Sequence, residues 1–145
     1  MRSDFNIGRA LELKKKRKWD TMYWMIDLHD TVFPGKYASD QSVEVYDGCI
    51  EVLKWLSDRK DMRIIIWTSS YAKDASKITG WLKVTHDISI DYYNSNPECD
   101  NTSYATFETK PYFNVLLDDK AGFEGEFDWF EIKGVLKKLG EWDKQ

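Results

Sequence analysis

Two short runs of apolar residues stand out along the chain, and each is followed at once by polar side chains. The runs are Met22–Ile26 and Met62–Trp67. A predominantly apolar run of this length is typical of a strand that is buried on both faces of a parallel sheet. We therefore predict strands at both runs, and two further strands at Ile88–Tyr92 and Asn114–Leu117.

Segments with helical periodicity separate these strands. Between the first two, four apolar residues from Cys49 to Leu56 recur with the spacing i, i+3, i+4, i+7. A shorter helix is predicted over Ala72–Leu82, and a last helix from about Asp128 to Leu139. The alternation of strands and helices predicts a three-layer, Rossmann-like α/β fold with a central parallel sheet.

Two longer connections carry turn-forming or polar residues. Val32–Val45 contains the turn signal Pro34-Gly35, and we predict a loop there with room for a hairpin. Asn94–Thr106 is polar and is predicted to be a loop. No linker or repeat divides the chain, so we predict one domain over residues 21–145.

The basic run Lys14–Lys18 lies ahead of the first strand. We predict that residues 1–20 form a basic N-terminal arm. Two interpretations of the run remain open: a solvated helix face, or a contact with the phosphate backbone of a polynucleotide.

The composition indicates a globular, cytoplasmic protein. The chain has 145 residues, of which 42% are hydrophobic, and this is enough to bury a core. A net charge of -4 gives no overall attraction to nucleic acid or to membranes. No apolar run is long enough to span a bilayer. Cys49 and Cys99 lie far apart, and we predict free thiols in a reducing compartment.

Polar side chains follow three of the predicted strands. The first strand ends in Asp27-Leu28-His29-Asp30-Thr31, the second in Thr68-Ser69-Ser70, and the fourth in Asp118-Asp119. The carboxyl ends of parallel strands share one edge of the sheet, where ligands collect. A cluster of carboxylates at that edge is costly unless a cation neutralises it, and Mg²⁺ prefers oxygen ligands of this kind. A further role for one carboxylate is to attack phosphorus as a nucleophile.

The residues at these strand ends resemble the four motifs of the haloacid dehalogenase-like superfamily of phosphatases. They match in residue type and in order along the chain, with Lys110 ahead of the fourth strand. The resemblance covers the chain from about Met22 to about Asp128. It implies that Asp27 is the nucleophile and forms an aspartyl-phosphate. It also implies that Thr68 hydrogen-bonds the transferred phosphoryl group, and that Lys110 neutralises nucleophile and phosphate.

The resemblance also implies how Mg²⁺ would be held. The ligands would be the carboxylate of Asp27, the backbone carbonyl of His29 and the carboxylate of Asp119, with Asp118 in support. Family members usually carry an aspartate two residues after the nucleophile, as general acid and then base, whereas this chain has His29. Imidazole can exchange protons near neutral pH, so His29 is the predicted acid and base. A substrate-binding or structural histidine in an impaired site is the alternative.

Two more residues complete the predicted site as substrate-binding residues. The backbone N–H of Ser69 could bind the same phosphoryl oxygen as Thr68. Thr31 corresponds to the hydroxyl that closes the loop after the nucleophile, with a purely local hydrogen bond to the backbone as its alternative role.

The segments between the motifs are too short for the cap domain of larger family members, and the resemblance therefore implies a capless phosphatase with an open site. Its substrate would be a phosphomonoester, including macromolecular ones such as phosphoproteins or polynucleotide ends. Two other functions remain open. One is a catalytically silent domain that binds a phosphorylated ligand or partner. The other is a different strand-end chemistry, such as a receiver domain phosphorylated on Asp27 or an unrelated metal-binding module.

Overall fold

A computed structural model of the chain describes residues 7–35 and 44–144. Within these residues, four strands form one parallel sheet with the order β3-β2-β1-β4. The strands are β1 (Met22–Ile26), β2 (Met62–Ile66), β3 (Tyr92–Tyr93) and β4 (Val115–Leu117). The described helices are α1 (Arg9–Lys16), α2 (Cys49–Asp58), α3 (Ala72–His86) and α4 (Gly125–Lys138), with a 3₁₀ turn at Asp119–Ala121.

The central strand β1 fixes the register of the sheet. Trp24 pairs with Ile64 on β2 and with Val115 on β4. Every residue of β1 is buried, as its unbroken apolar run predicts. Since all four strands run in the same direction, their carboxyl ends meet at one edge of the sheet.

The two faces of the sheet are covered differently. All four described helices add residues to the hydrophobic cluster on the face that carries Trp24 and Ile26. The opposite face, which carries Tyr23 and Met25, packs against residues of the long connection from β3 to β4. The sheet is therefore the middle of three layers, which confirms the prediction of a three-layer, Rossmann-like fold with a central parallel sheet.

The third strand is shorter than its sequence pattern predicted. Ile88 is buried, but the N–H of Ser89 bonds to the hydroxyl of Ser57 and takes no part in the sheet. At Asp91 the backbone N–H donates to the carbonyl of Ile64, whereas the N–H of Ile64 donates to the carboxylate of Asp91. Side chains thus take part of the hydrogen bonding ahead of the strand, which begins at Tyr92 and ends at Tyr93.

The last helix begins three residues earlier than predicted. The N–H of Glu124 donates to the carboxylate of Asp128, a side-chain bond that closes the first turn of α4. A Cβ at Gly125 would overlap with the ring of Tyr46, so glycine at the start of α4 allows this ring to lie against the helix.

The described part of the predicted basic arm packs against the domain. Ile7, Ala10 and Leu11 are buried in the larger hydrophobic cluster. Lys14 forms an ion pair with Asp61 at 3.1 Å, so part of the basic run is used within the fold.

Both cysteines are free thiols, as predicted, and Cys49 is fully buried. Among the described residues, no helix is long and apolar enough to cross a membrane. The central part of the predicted Val32–Val45 loop, residues 36–43, lies outside the described residues, so a hairpin there stays a prediction.

Candidate active site at the carboxyl edge of the sheet

Backbone hydrogen bonds continue beyond the ends of the strands and fix the first residues of the site. The N–H of Asp27 donates to the carbonyl of Leu117, and the N–H of Trp67 donates to the carbonyl of Ile26, each at 2.9 Å. The ends of β1, β2 and β4 are therefore hydrogen-bonded to one another, and this fixes where the loops that follow them begin.

Three carboxylates meet at this edge, and we call Asp27, Asp118 and Asp119 the acidic cluster. One oxygen from each lies within 4.8 Å of the oxygens from the other two, and all three side chains are half-buried. Burial, a hydrogen bond with Asp119 and the charge of Asp118 raise the pKa of Asp27 to about 6. The cluster is thus a concentration of negative charge that the fold holds together.

Thr31 connects the two loops that carry the acidic cluster. Its hydroxyl donates to Asp27 at 3.3 Å and accepts from the N–H of Asp119 at 3.0 Å. The indole N–H of Trp129, on α4, donates to the carbonyl of Thr31 at 2.7 Å. Thr31 is fully buried, so it lies beneath the carboxylates and not at the surface that a substrate would approach.

The loop after β2 is held by a residue that follows β3. The N–H of Thr68 donates to the side-chain oxygen of Asn94, and the amide of Asn94 donates back to the carbonyl of Thr68, both at 2.8 Å. Asn94 has a φ of 51°, a left-handed conformation that asparagine tolerates better than most residues. Ser69 is exposed, and the N–H of Ser70 donates to the hydroxyl of Thr68.

His29 bridges the loops after β1 and β2. Its Nδ1 lies 2.8 Å from the carbonyl oxygen of Gly35, and its Nε2 lies 3.0 Å from the hydroxyl of Ser70. The ring also packs edge-on against Phe33, with 5.0 Å between centroids. Asp30 takes part in the loop itself, because its carboxylate accepts from the N–H of Gly35.

Lys110 is placed differently from the other predicted residues. Its side chain is exposed on the connection from β3 to β4, and its ammonium lies 5.8 Å from the centroid of the Phe113 ring. Within the described part of the chain, it forms no ion pair with the acidic cluster. The structure brings together Asp27, Thr31 and Asp119 with Asp118, and links Thr68 to His29 through Ser70.

The sequence analysis did not identify Trp129 and Asn94 as residues of this edge. It also did not predict the contact between Ser70 and His29. Asn94 follows the predicted third strand directly, and the strand-end argument applied there would have found it. Trp129 carries no such signal, since an indole on a helix is most often a core residue.

Comparison with known proteins gives the fold and no family. No family model matches the chain, and no curated protein matches it. A solved structure of a conserved protein from Bacteroides thetaiotaomicron is similar in fold, with a TM-score of 0.61. The match covers 86% of this chain and 99% of that protein, at 19% sequence identity.

Proposed function

We propose that this chain is a magnesium-dependent phosphatase that hydrolyses a phosphomonoester through an aspartyl-phosphate on Asp27. The observation that supports this most is the acidic cluster, three carboxylates within 4.8 Å at the carboxyl edge of a parallel sheet. The resemblance of the strand-end motifs to those of haloacid dehalogenase-like phosphatases supports the same function.

The donor set fits a hard divalent cation. Carboxylate oxygens are the ligands that Mg²⁺ prefers, and it usually keeps several waters beside one or two carboxylates. Among the described residues, no lysine, arginine or histidine forms an ion pair with the cluster. Asp27 and Asp119, with Asp118 and the carbonyl of His29, would hold the ion. When bound, it would neutralise charge on the cluster and on the phosphoryl oxygens.

Asp27 is the proposed nucleophile. Its carboxylate oxygen forms a bond to phosphorus as the bond from phosphorus to the ester oxygen breaks, and the leaving oxygen takes a proton. Water then attacks phosphorus and loses a proton as the bond from phosphorus to the Asp27 oxygen breaks, which releases phosphate and restores the Asp27 carboxylate. The buried hydroxyl of Thr31 orients this carboxylate through its hydrogen bond at 3.3 Å.

His29 is the proposed proton donor and acceptor for these two steps. It follows Asp27 by two residues and lies between the loops after β1 and β2. The hydroxyl of Thr68 and the backbone N–H of Ser69 are proposed to bind the phosphoryl oxygens. Lys110 is exposed on a connecting segment, and it would have to leave the ring of Phe113 to neutralise a bound phosphate.

The site is open in the part of the chain that the structure describes. Between β1 and β2, the described residues form the His29 loop and α2. Between β2 and β4 they form α3, β3 and the long connection. No further domain lies over the acidic cluster in these ranges, which favours a bulky phosphomonoester as substrate.

Phosphate release from p-nitrophenyl phosphate tests the proposal, with Mg²⁺ and then with EDTA. Wild type should release phosphate only with Mg²⁺, and Asp27→Asn should reduce release to background. Asp20→Asn is a matched control, since Asp20 is exposed just ahead of β1. Release that is unchanged in Asp27→Asn would contradict the proposal.

Two other results would point to the alternative functions. Stabilisation by Mg²⁺ with no release from aryl phosphates, phosphopeptides or phosphorylated oligonucleotides would indicate a silent binding domain. A phosphoryl group that persists on Asp27 would indicate a receiver-type function.

A further inference from the structure

We propose that Ser70 is a positioning residue for His29, and that it holds the imidazole in the one orientation needed for proton transfer. This inference rests on the proposed function of the site. Its support is a chain of contacts that joins the loop after β1 to the loop after β2 and to the residue that follows β3.

The first step is the hydrogen that Nδ1 of His29 carries. A backbone carbonyl can only accept, so the 2.8 Å contact with Gly35 requires a hydrogen on Nδ1. Nε2 is therefore the nitrogen that can exchange a proton, and it faces the hydroxyl of Ser70 at 3.0 Å. The edge-on contact with Phe33 limits tilting of the ring.

The second step is that Ser70 is itself fixed. Its N–H donates to the hydroxyl of Thr68 at 3.1 Å, and its carbonyl accepts from the hydroxyl of Tyr93 at 3.0 Å. Thr68 is in turn held on both sides of its backbone by Asn94. The backbone of Ser70 is thus held by Tyr93 on β3 and, through Thr68, by Asn94.

The consequence is a division of roles between neighbouring residues of one loop. Thr68 and Ser69 are proposed to bind phosphate, whereas the hydroxyl of Ser70 would contact the histidine. A ring that is misplaced by about 1 Å can cost about 100-fold in rate, so a second contact on His29 has a use beyond stability.

Kinetics with two substrates test this role. The p-nitrophenolate group leaves without protonation, whereas the alkoxide of β-glycerophosphate needs a proton. The quantity to compare is kcat/KM, which reports the steps through formation of the aspartyl-phosphate and leaves out the water attack that both substrates share. Ser70→Ala should lower kcat/KM about 10-fold for β-glycerophosphate and less than about 2-fold for p-nitrophenyl phosphate. Ser70→Thr, which keeps the hydroxyl, should restore most of the loss. Ser76→Ala is a matched control, because Ser76 is exposed and its hydroxyl bonds to backbone carbonyls of its own helix, α3.

A double mutant separates positioning from a general structural effect. In a His29→Ala background, Ser70→Ala should cause no further loss for either substrate. Equal losses of kcat/KM for both substrates, or additive losses in the double mutant, would overturn the inference. If Asp27→Asn remains active, the proposed function fails instead.

A spectroscopic measurement tests the same contact without turnover. Long-range ¹H–¹⁵N spectra at fixed neutral pH, with signals assigned by His29→Ala, should show His29 of the wild type with hydrogen on Nδ1. Ser70→Ala should shift the Nε2 resonance, because Nε2 loses its hydrogen-bond partner, while the carbonyl of Gly35 keeps the hydrogen on Nδ1. Identical spectra for wild type and Ser70→Ala would refute the positioning role.

Discussion

Replacing Asp27 by asparagine should stabilise the metal-free protein, although it removes the proposed nucleophile. Asp27 is half-buried beside two other carboxylates. Burial and the proximity of Asp119 and Asp118 make its ionised form unfavourable in the folded state. Asparagine has nearly the same shape and can still accept the hydrogen bond from Thr31, so the variant removes the charge with little change in packing.

The size of this effect follows from the pKa of Asp27. It rises from the ordinary value of 3.8 to about 6 in the folded protein. For a fully buried charge this would correspond to about 3 kcal/mol at neutral pH, at about 1.4 kcal/mol per pKa unit. Solvent screens a half-buried group, and we expect about 1–2 kcal/mol. For a chain of this length, that raises Tm by about 3–8 °C.

The pH dependence of this gain has a defined sign. Between pH 3.8 and about 6, folded Asp27 binds more protons than it does in the unfolded chain. Its contribution to stability therefore falls as pH rises through this window, and the penalty is complete above it. The advantage of Asp27→Asn should be full at pH 7 and should shrink as pH falls toward 4.

Thermal unfolding of wild type, Asp27→Asn and Asp20→Asn in EDTA measures the gain, and repetition with Mg²⁺ measures the role of the cation. Under the proposed function, magnesium should raise the Tm of wild type and of the control, since the acidic cluster is assembled only in the folded state. It should raise the Tm of Asp27→Asn much less. A variant that is less stable than wild type in EDTA, or that responds to Mg²⁺ as wild type does, would refute the reasoning.

Three further predictions concern the surroundings of the site. Trp129→Phe removes the hydrogen bond to the buried carbonyl of Thr31 and should lower the free energy of unfolding in urea by about 1–3 kcal/mol; no loss would show that the bond is dispensable. Asn94→Gly keeps the left-handed backbone but removes both bonds to Thr68, and should lower phosphate release about 10- to 100-fold; unchanged release would show that the loop is held otherwise. Burial raises the pKa of the Cys49 thiol well above its ordinary value, so Ellman's reagent should label one of the two cysteines in the native protein and both in urea.

The best-predicted elements are those whose hydrophobic pattern is uninterrupted and ends at polar residues. The bounds of β1 are those of its apolar run, because no polar residue interrupts it and polar residues follow it. The third helix extends beyond the predicted Leu82 to His86, since its last turn carries mostly exposed residues that give no apolar signal. The predicted third strand was wrong over Ile88–Asp91. There the N–H groups of Ser89 and Ile64 donate to side chains, and a single backbone bond joins Asp91 to Ile64.

The contacts that organise the site could not be read from the sequence. Thr31 and Trp129 are 98 positions apart, and Thr68 and Asn94 are 26 apart. Hydrophobic periodicity predicts which face of a helix or strand is buried. It does not predict which polar atoms form hydrogen bonds across the fold. The strand-end argument placed the carboxylates at one edge, yet it gave no sign that a buried threonine connects them.

The acidic cluster also explains why this edge of the sheet needs so much support. Three half-buried carboxylates repel one another, and burial of Asp27 adds to the cost. The contacts of Thr31 with Asp27 and Asp119, and of Trp129 with Thr31, hold the two loops together against that repulsion. A purely structural turn would gain nothing from keeping the three charges in place. The proposed Mg²⁺ would supply the positive charge that offsets this repulsion, and the same substitution that relieves the repulsion should abolish the response to Mg²⁺.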